Sequence, residues 1–519
     1  MYSEAYSAAI RGIEGCVIEV ETDISDGLPG ISLVGFLSSE VKEAKERVRT
    51  AIKNSGIKIP AKKMIINLSP ADMRKAGTAY DVAIAVSILS ALGLIGSSNI
   101  KKTMFIGELS LDGRVMAVDG VLPMVYTAYE NGFEYCVVPK ENIGEALVVD
   151  NIKIICIEKI IEIIDIFNRD DIGLFVQERE MSFEEQNYSA GNNIPDFRDV
   201  SGQKAVRRAA EVAVSGMHNF LIVGPPGTGK TMIAKRIPGI MPEPSFEECM
   251  EISKIYSVSG LLSREEPVML KRPFRAPHHT ITQSALAGGG RYPKPGEISL
   301  ASGGVLFLDE LPEFNRQTLE VLRQPLEDGY VNVSRVDGTY TYPASCQLVA
   351  AMNPCRCGYF PDRTRCKCSQ MSVKNYLGRV SRPFLDRIDI CSETVSLKYD
   401  EISGKTESKS NESSADIRQR VKNVHKLQRE RYREEDFKFN SQMKPADVAK
   451  YCITTKSAQD YINEIFENMS FSARAYHKIL KVSRTIADMD GCEMINDEHI
   501  AEAVCYRSID KKYWGAELG

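Results

Sequence analysis

The chain has 519 residues, 43% of them hydrophobic and 26% charged, and a formal net charge of −5. This length predicts about three domains of ordinary globular composition. The sequence has neither a run of about 18 apolar residues nor a basic segment followed by an apolar one at its start, so we expect no membrane span, no signal peptide and a cytoplasmic protein. The negative charge excludes a uniformly basic coat for nucleic acid, although a local basic channel is compatible with it.

Residues 1–167 alternate between strand-like and helix-like patterns, which predicts an α+β domain. The runs GCVIEVETDI and KKMIINLS are typical of strands. Between them, a helix is predicted after an N-cap at Ser38 or Ser39. Its apolar residues recur at helical spacing, as Val41, Ala44, Val48 and Ala51. Residues 168–199 then turn polar and weakly periodic, and we interpret them as a linker.

The stretch LIVGPPGTGKT carries the pattern G-x-x-x-x-G-K-[ST], which is typical of a phosphate-binding loop. It follows an apolar strand, NFLIV, and opens a helix, TMIAKRI, which is the context that the pattern requires. The glycines allow backbone N–H groups to face phosphates, while Lys230 would bind the β and γ oxygens and Thr231 a Mg²⁺ ion. The predicted ATP-binding residues of this loop are Gly224, Pro225, Pro226, Gly227, Thr228, Gly229, Lys230 and Thr231.

Two further apolar runs end in polar residues within the predicted domain 200–399. GGVLFLDE indicates a buried strand that ends in Asp309, a ligand of the Mg²⁺ water shell, and Glu310, a general base for the attacking water. CQLVAAMN indicates another strand, ending at Asn353, whose amide would orient water against the γ-phosphate. The alternative for Asn353 is the start of a turn before Pro354.

Four cysteines follow this asparagine as two C-x-C pairs, namely Cys355, Cys357, Cys366 and Cys368. Two short turns could bring four thiolates to one tetrahedral Zn²⁺, although the usual zinc spacing is C-x₂₋₄-C. A disulfide and an iron–sulfur cluster are the alternatives, and a reducing cytoplasm disfavours the disulfide. We predict structural zinc.

The rest of the chain contributes two candidate arginines and a helical end. Arg387, in RPFLDRIDI, and Arg474, in SARAYHKIL, could each stabilise phosphoryl-transfer charge, although spacing alone does not establish such a role. Residues 400–416 are polar and are predicted to form a mobile loop. Residues 417–519 are predicted to be helical.

Several motifs together resemble the ComM/YifB proteins, a family of magnesium-chelatase-like AAA+ ATPases. The motifs are GPPGTGKT, FRAPHHT, GGGRYPKPGEISLASGGVLFLDELPEF, AAMNPCRCG, RPFLDRID and SARAYHKILKVSRTIAD. The resemblance implies a hexameric ring with ATP between subunits and a C-terminal helical lid. It makes the loop ending in Lys230 and Thr231 a Walker A motif and the pair Asp309 and Glu310 a Walker B motif. By the same resemblance, Asn353 corresponds to sensor 1, Arg387 to the arginine finger and Arg474 to sensor 2.

The family's best-characterised activity is ATP-driven DNA unwinding and branch migration during recombination of incoming DNA, which is the function we expect here. The alternative is a chelatase-type ATPase that remodels a protein partner. Candidate DNA contacts, to single-stranded or branched DNA, are Arg291 and Lys294 in a glycine-rich loop and Arg335 near the tip of a predicted hairpin, YVNVSRVDGTYTY. An ordered loop that caps the sheet is an equally simple interpretation of the glycine-rich segment.

The N-terminal domain resembles the proteolytic domain of Lon proteases, which has a ribosomal S5 domain 2-like fold. That chemistry needs a serine nucleophile and a lysine base. Ala79 stands at the serine position and Leu122 at the lysine position, while the neighbouring Thr78 has no assignable amine partner. We therefore expect no peptidase activity.

Overall fold

The computed structural model describes residues 1–169, 171–178, 194–263, 265–290, 293–335, 338–396, 412–469 and 472–514. The described strands are β1 Tyr2–Arg11, β2 Glu14–Ser25, β3 Gly30–Val34, β4 Lys63–Ser69, β5 Thr103–Phe105, β6 Glu108–Leu109, β7 Val115–Met116, β8 Tyr135–Pro139, β9 Lys153–Ile157, β10 Val176–Gln177, β11 Phe220–Val223, β12 Phe274–Arg275, β13 Gly288–Gly289, β14 Lys294–Pro295, β15 Val305–Leu308, β16 Tyr330–Arg335, β17 Gly338–Pro343, β18 Gln347–Met352 and β19 Ile390–Glu393.

The described helices are α1 Ser39–Asn54, α2 Asp81–Ala91, α3 Val121–Glu130, α4 Ile143–Ala146, α5 Glu162–Phe167, α6 Lys204–Gly216, α7 Lys230–Ala234, α8 Ile237–Ile240, α9 Phe246–Val258, α10 Gln283–Ala287, α11 Glu297–Leu300, α12 Arg316–Val321, α13 Pro325–Asp328, α14 Gln370–Leu377, α15 Arg382–Leu385, α16 Ser414–Arg431, α17 Pro445–Tyr451, α18 Lys456–Met469, α19 Ala473–Met489 and α20 Asp497–Trp514. Among the residues described, no helix combines the length and the apolar character that crossing a bilayer requires.

The N-terminal part is built on an eight-stranded mixed sheet in the order β10-β9-β8-β5-β1-β2-β4-β3. Ser38 caps α1 by accepting a hydrogen bond from the Val41 N–H, as the sequence predicts. Helix α2 is buried over nearly its whole length, which its almost uniformly apolar sequence also predicts. Strand β10 lies inside the predicted linker and extends this sheet by pairing with β9. The sequence did not predict this strand, because two residues are too few to give a recognisable periodicity.

The second part is a five-stranded parallel sheet in the order β12-β15-β18-β11-β19. Alternate residues of its strands enter two different hydrophobic clusters, so that Phe220 and Ile222 pack on one face and Leu221 and Val223 on the other. A parallel strand that is covered on both faces must be apolar throughout. This explains why these strands appear in the sequence as unbroken apolar runs.

The C-terminal helices α16 to α20 cover one face of the parallel sheet, and their apolar residues share a cluster with Phe220 and Ile222. The predicted fold class is thereby confirmed: a P-loop parallel core, an α/β domain before it and a helical region after it. Of the predicted mobile loop, residues 400–411 lie outside the described residues, and 414–416 form the first turn of α16. The domain boundaries themselves stay predictions.

Helix α9 joins the N-terminal part to the core. It belongs to the core sequence, yet Cys249 and Met250 enter the hydrophobic cluster of α3 and β8. Lys254 Nζ lies 3.2 Å from Glu14 Oε2, and the Ser257 hydroxyl donates to Glu145 Oε2 over 2.7 Å. Helix α9, whose residues 252–258 are all buried, therefore forms part of an interface between the N-terminal part and the core.

Candidate active site

The phosphate-binding loop connects β11, which lies between β18 and β19 in the parallel sheet, to α7. Gly227 and Gly229 have φ values of +76° and +84°, a region that favours glycine. At Gly224 the reason for glycine is space, because a Cβ there would overlap the hydroxyl of Thr394. The loop glycines that the sequence pattern singles out are therefore required by backbone conformation and close approach.

Lys230 lies at the start of α7 with its side chain folded back over the loop. Its Nζ donates to the carbonyl oxygens of Gly224 and Pro225, at 2.9 and 2.8 Å, and to Asn353 Oδ1 at 2.9 Å. Burial lowers the pKa of Lys230, and the carboxylates of Asp309 and Glu310 oppose this effect. The ammonium is thus surrounded by oxygens at the place where the loop would receive a phosphate.

Asp309 and Glu310 follow β15 at the same edge of the sheet. The Thr231 hydroxyl donates to Asp309 Oδ2 over 2.6 Å, and the Glu310 N–H donates to Asp309 Oδ1 over 2.9 Å. A hydroxyl and a carboxylate oxygen at this separation are ligands of the kind that Mg²⁺ prefers. The residues present therefore fit the magnesium ion that the sequence predicts here.

The Glu310 side chain is 62% exposed. Its backbone has a φ of +51°, which is uncommon for a residue other than glycine and indicates local backbone strain. Its Oε2 lies 3.7 Å from Nδ1 of His279. His279 was not a candidate from the sequence, and the FRAPHHT motif that contains it is the signal that could have assigned it to this site.

Asn353 follows β18, which lies between β15 and β11 in the sheet. The carboxyl ends of parallel strands meet at one edge, so Lys230, Asp309 and Asn353 come together there. The Asn353 side chain is engaged by the Lys230 ammonium. Its part in catalysis stays a prediction, but its position beside the loop is the one that the prediction requires.

The two candidate arginines lie near each other, on either side of Asp386. Arg387 is 7% exposed and pairs with Glu327 Oε1 over 2.7 Å. Arg474, at the start of α19, is 64% exposed and lies 4.0 Å from Asp386 Oδ2. In this chain both guanidinium groups therefore contact carboxylates of the chain itself.

A buried polar group next to Arg387 was missed by sequence reasoning. Asp389 Oδ1 lies 3.2 Å from Lys478 Nζ, and its Oδ2 lies 3.6 Å from His218 Nδ1. Burial raises the pKa of Asp389, but Lys478 and His218 outweigh burial and hold it well below its usual range. Lys478 also donates to the Ile388 carbonyl over 2.8 Å. The residues around Arg387 are thus attached to the lid helix α19, a long-range arrangement that has no local sequence signal.

The four clustered cysteines form a compact set whose Sγ atoms all lie within 4.8 Å of one another. Cys355 Sγ lies 3.3 Å from that of Cys357 and 3.7 Å from that of Cys366. Tetrahedral Zn–S bonds of about 2.3 Å place sulfurs about 3.8 Å apart, so the cluster fits zinc. Gly358, between the pairs, packs so closely on Pro226 of the phosphate-binding loop that a Cβ would overlap its ring.

Two of the three candidate DNA contacts, Arg335 and Lys294, lie on adjoining pairs of antiparallel strands. Arg335 ends β16, and its Nε donates to the Gly290 carbonyl over 3.2 Å. Tyr342, on the paired strand β17, donates to the Pro293 carbonyl over 2.7 Å. Lys294 Nζ lies 3.5 Å from Asp119 Oδ2 of the N-terminal part. Arg291 lies outside the described residues.

The positions that correspond to the Lon nucleophile and base lie in the N-terminal part. Ala79 is nearly buried and Leu122 is fully buried. The Thr78 hydroxyl donates to Glu108 Oε2 over 2.6 Å. The geometry therefore pairs this hydroxyl with a carboxylate.

A phosphate-binding loop, an acidic pair and a polar strand end, set on a five-stranded parallel sheet with a helical lid, define a P-loop ATPase of the AAA+ class. Sequence profiles match in three places: magnesium chelatase, subunit ChlI, over residues 196–402; subunit ChlI of Mg-chelatase over 20–142; and the magnesium chelatase subunit ChlI C-terminal region over 411–507.

Individual relatives match either almost the whole chain or a part of it. Competence protein ComM of Haemophilus influenzae is 39% identical over 510 residues, which is 97% of each chain. The uncharacterized protein YifB of Salmonella typhimurium is 38% identical over 516 residues, 98% of this chain and 97% of its own. Lon protease 2 of Bacillus subtilis is 30% identical over 138 residues, 25% of each chain. The chain therefore belongs to the ComM/YifB family of magnesium-chelatase-like AAA+ proteins, and this membership implies ATP and Mg²⁺ as ligands.

Proposed function

We propose that this protein is an ATP-driven hexameric motor that acts on DNA, as a helicase or branch-migration factor in recombination or natural transformation. The observation that carries the proposal is the convergence of Lys230, Thr231, Asp309 and Asn353 at one sheet edge, in a chain that is 39% identical to a competence protein. DNA as the partner and the cytoplasm as the location are parts of the same proposal.

In this function the loop N–H groups and Lys230 bind the β- and γ-phosphates, and Lys230 exchanges its carbonyl partners for phosphate oxygens. Thr231 and Asp309 hold Mg²⁺ and its water ligands. Glu310 accepts a proton from the attacking water, and Asn353 orients that water against the γ-phosphate. Arg387 acts on the ATP of a neighbouring subunit, while Arg474 acts as sensor 2.

Arg335, Lys294 and Arg291 are proposed to contact the phosphate backbone of single-stranded or branched DNA. One arginine per chain becomes six around the channel of a hexameric ring, which concentrates positive charge locally although the chain carries a net charge of −5. Contacts of this kind read no base sequence and weaken strongly with salt.

The four cysteines are proposed to hold a structural zinc ion, supported by the mutual distances of their Sγ atoms. We further propose that the N-terminal domain has no peptidase activity and instead serves ring assembly or adds a DNA surface. The support is the apolar character of Ala79 and Leu122 and the engagement of Thr78 by Glu108.

A second function, the remodelling of a protein partner by a chelatase-type ATPase, is favoured by the magnesium chelatase profiles that match three segments of the chain. The two functions differ in what the ATPase responds to. A DNA motor is stimulated by DNA, whereas a remodelling ATPase is stimulated by its protein partner.

Strand displacement on a labelled forked DNA tests the leading proposal. We expect ATP-dependent separation of the strands by the wild-type protein and none by Lys230→Ala, which loses the phosphate contact. The absence of unwinding and of branch migration by a hexamer that hydrolyses ATP would contradict the proposal.

A further inference from the structure

The guanidinium group of Arg387, the candidate arginine finger, is held by groups of its own chain. Its side chain is 7% exposed, and Nη2 is bound by Glu327 Oε1 at 2.7 Å. Nη1 donates to the Pro383 carbonyl over 2.9 Å, and Nε is buried without a hydrogen-bond partner in the part of the chain that the structure describes. The carboxylate partly neutralises this guanidinium, and one of its N–H groups lacks a hydrogen-bond partner among the described residues. In this arrangement Arg387 stabilises negative charge on another molecule poorly.

The carboxylate that holds Arg387 is directly connected to the candidate DNA hairpin. Glu327 lies in α13, and β16 begins at Tyr330 after a single left-handed turn residue, Gly329, with a φ of +76°. The Ala344 N–H, just beyond β17, donates to the Gly329 carbonyl over 2.8 Å. The hairpin therefore begins and ends at Gly329, and only Asp328 separates this turn from Glu327 in the chain.

We propose that Glu327 is a restraining residue that couples DNA binding to ATP hydrolysis. In the absence of DNA it pairs with Arg387 and keeps the guanidinium within its own subunit. When DNA displaces the hairpin of β16 and β17, α13 moves, the pair separates, and Arg387 becomes available to the nucleotide of the neighbouring subunit. This inference rests on the proposed function, since it takes Arg387 as the arginine that acts across the subunit boundary.

The test is steady-state ATP hydrolysis by intact oligomers of Glu327→Gln, with and without single-stranded DNA. We expect the DNA-free kcat to rise about threefold, the size expected for loss of a partly exposed ion pair. The ratio of DNA-stimulated to DNA-free rate should fall correspondingly, with the Kd for nucleotide unchanged. The matched control is Asp328→Asn, which removes the same charge from the next, exposed residue of the same helix and should behave as wild type.

A double variant tests whether Glu327 acts through Arg387. Glu327→Gln combined with Arg387→Ala should be as slow as Arg387→Ala alone, because the released group is then absent. Should Glu327→Gln reduce stability or oligomer formation, Glu327→Asp keeps the charge, shortens the reach, and should raise the DNA-free kcat in the same direction by a smaller factor.

The outcomes separate this inference from the proposed function. A DNA-stimulated wild-type enzyme whose Glu327→Gln variant is unchanged, or is slower without DNA, would overturn the restraint and leave the motor function standing. A wild-type ATPase that DNA does not stimulate would count against the motor function. In that case the DNA-free rates of Glu327→Gln and of the double variant still decide whether Glu327 restrains Arg387.

Discussion

At the scale of single residues, the site is a set of oxygens gathered around one ammonium group. Lys230 contacts two loop carbonyls and the Asn353 amide oxygen, and Thr231 contacts Asp309. These residues could be identified from the sequence because each motif is local and each ends an apolar strand. The geometry of Glu310 could not, since its φ of +51° belongs to the turn after β15, while His279 approaches it from the segment after β12.

Asn353→Ala is predicted to reduce kcat for ATP about 100-fold, because a preorganised polar group at the γ-phosphate is lost. The Kd for ATP should change little, since the phosphate-binding loop is intact. Steady-state hydrolysis and binding of a fluorescent nucleotide measure the two effects separately. Asn423→Ala, on the exposed surface of α16, is the matched control, and an unchanged kcat for Asn353→Ala would contradict the assigned role.

At the scale of elements, the cysteine-rich segment links the strand end at Asn353 to the phosphate-binding loop. Phe360 lies against Tyr513 of the C-terminal helix, with ring centroids 6.1 Å apart, and Gly358 packs on Pro226. The sequence places the first of these cysteines two residues beyond Asn353 but gives no indication of the contact with Pro226. Likewise α1 and the strands of the core were predictable from periodicity, whereas the docking of α9 and the Asp389 group were not, because both depend on residues distant in sequence.

Removal of zinc is predicted to lower the melting temperature and to weaken ATP binding, since the segment that supports Pro226 loses its crosslink. Protein purified without chelator should contain about one zinc ion per chain. Cys357→Ser should lose both the metal and the ATP affinity, while Cys505→Ser, at an exposed cysteine outside the cluster, should lose neither. A metal content well below one half equivalent in the wild-type protein would show that the cysteines serve another purpose.

At the scale of the whole molecule, the N-terminal part, the core with its candidate DNA hairpin, and the helical lid are in direct contact. The N-terminal sheet is fixed to the core by α9, the lid is fixed to the residues around Arg387 by Lys478, and the candidate DNA hairpin adjoins the loop that carries Lys294. In a ring these connections would place DNA contact, nucleotide contact and the arginine of the neighbouring subunit in one pathway. The chain's net charge does not predict the DNA contact, because attraction of DNA depends on where the positive groups lie rather than on the sum of the charges.

The measurement that tests this account most directly is the rate of ATP hydrolysis by the intact oligomer with single-stranded, duplex and branched DNA. We expect stimulation by single-stranded or branched DNA that declines as salt rises. It should be weakened in Arg335→Ala and absent in Lys230→Ala, which should not hydrolyse ATP. A wild-type rate that is the same with every DNA and without DNA, but that rises with a protein partner, would contradict the account.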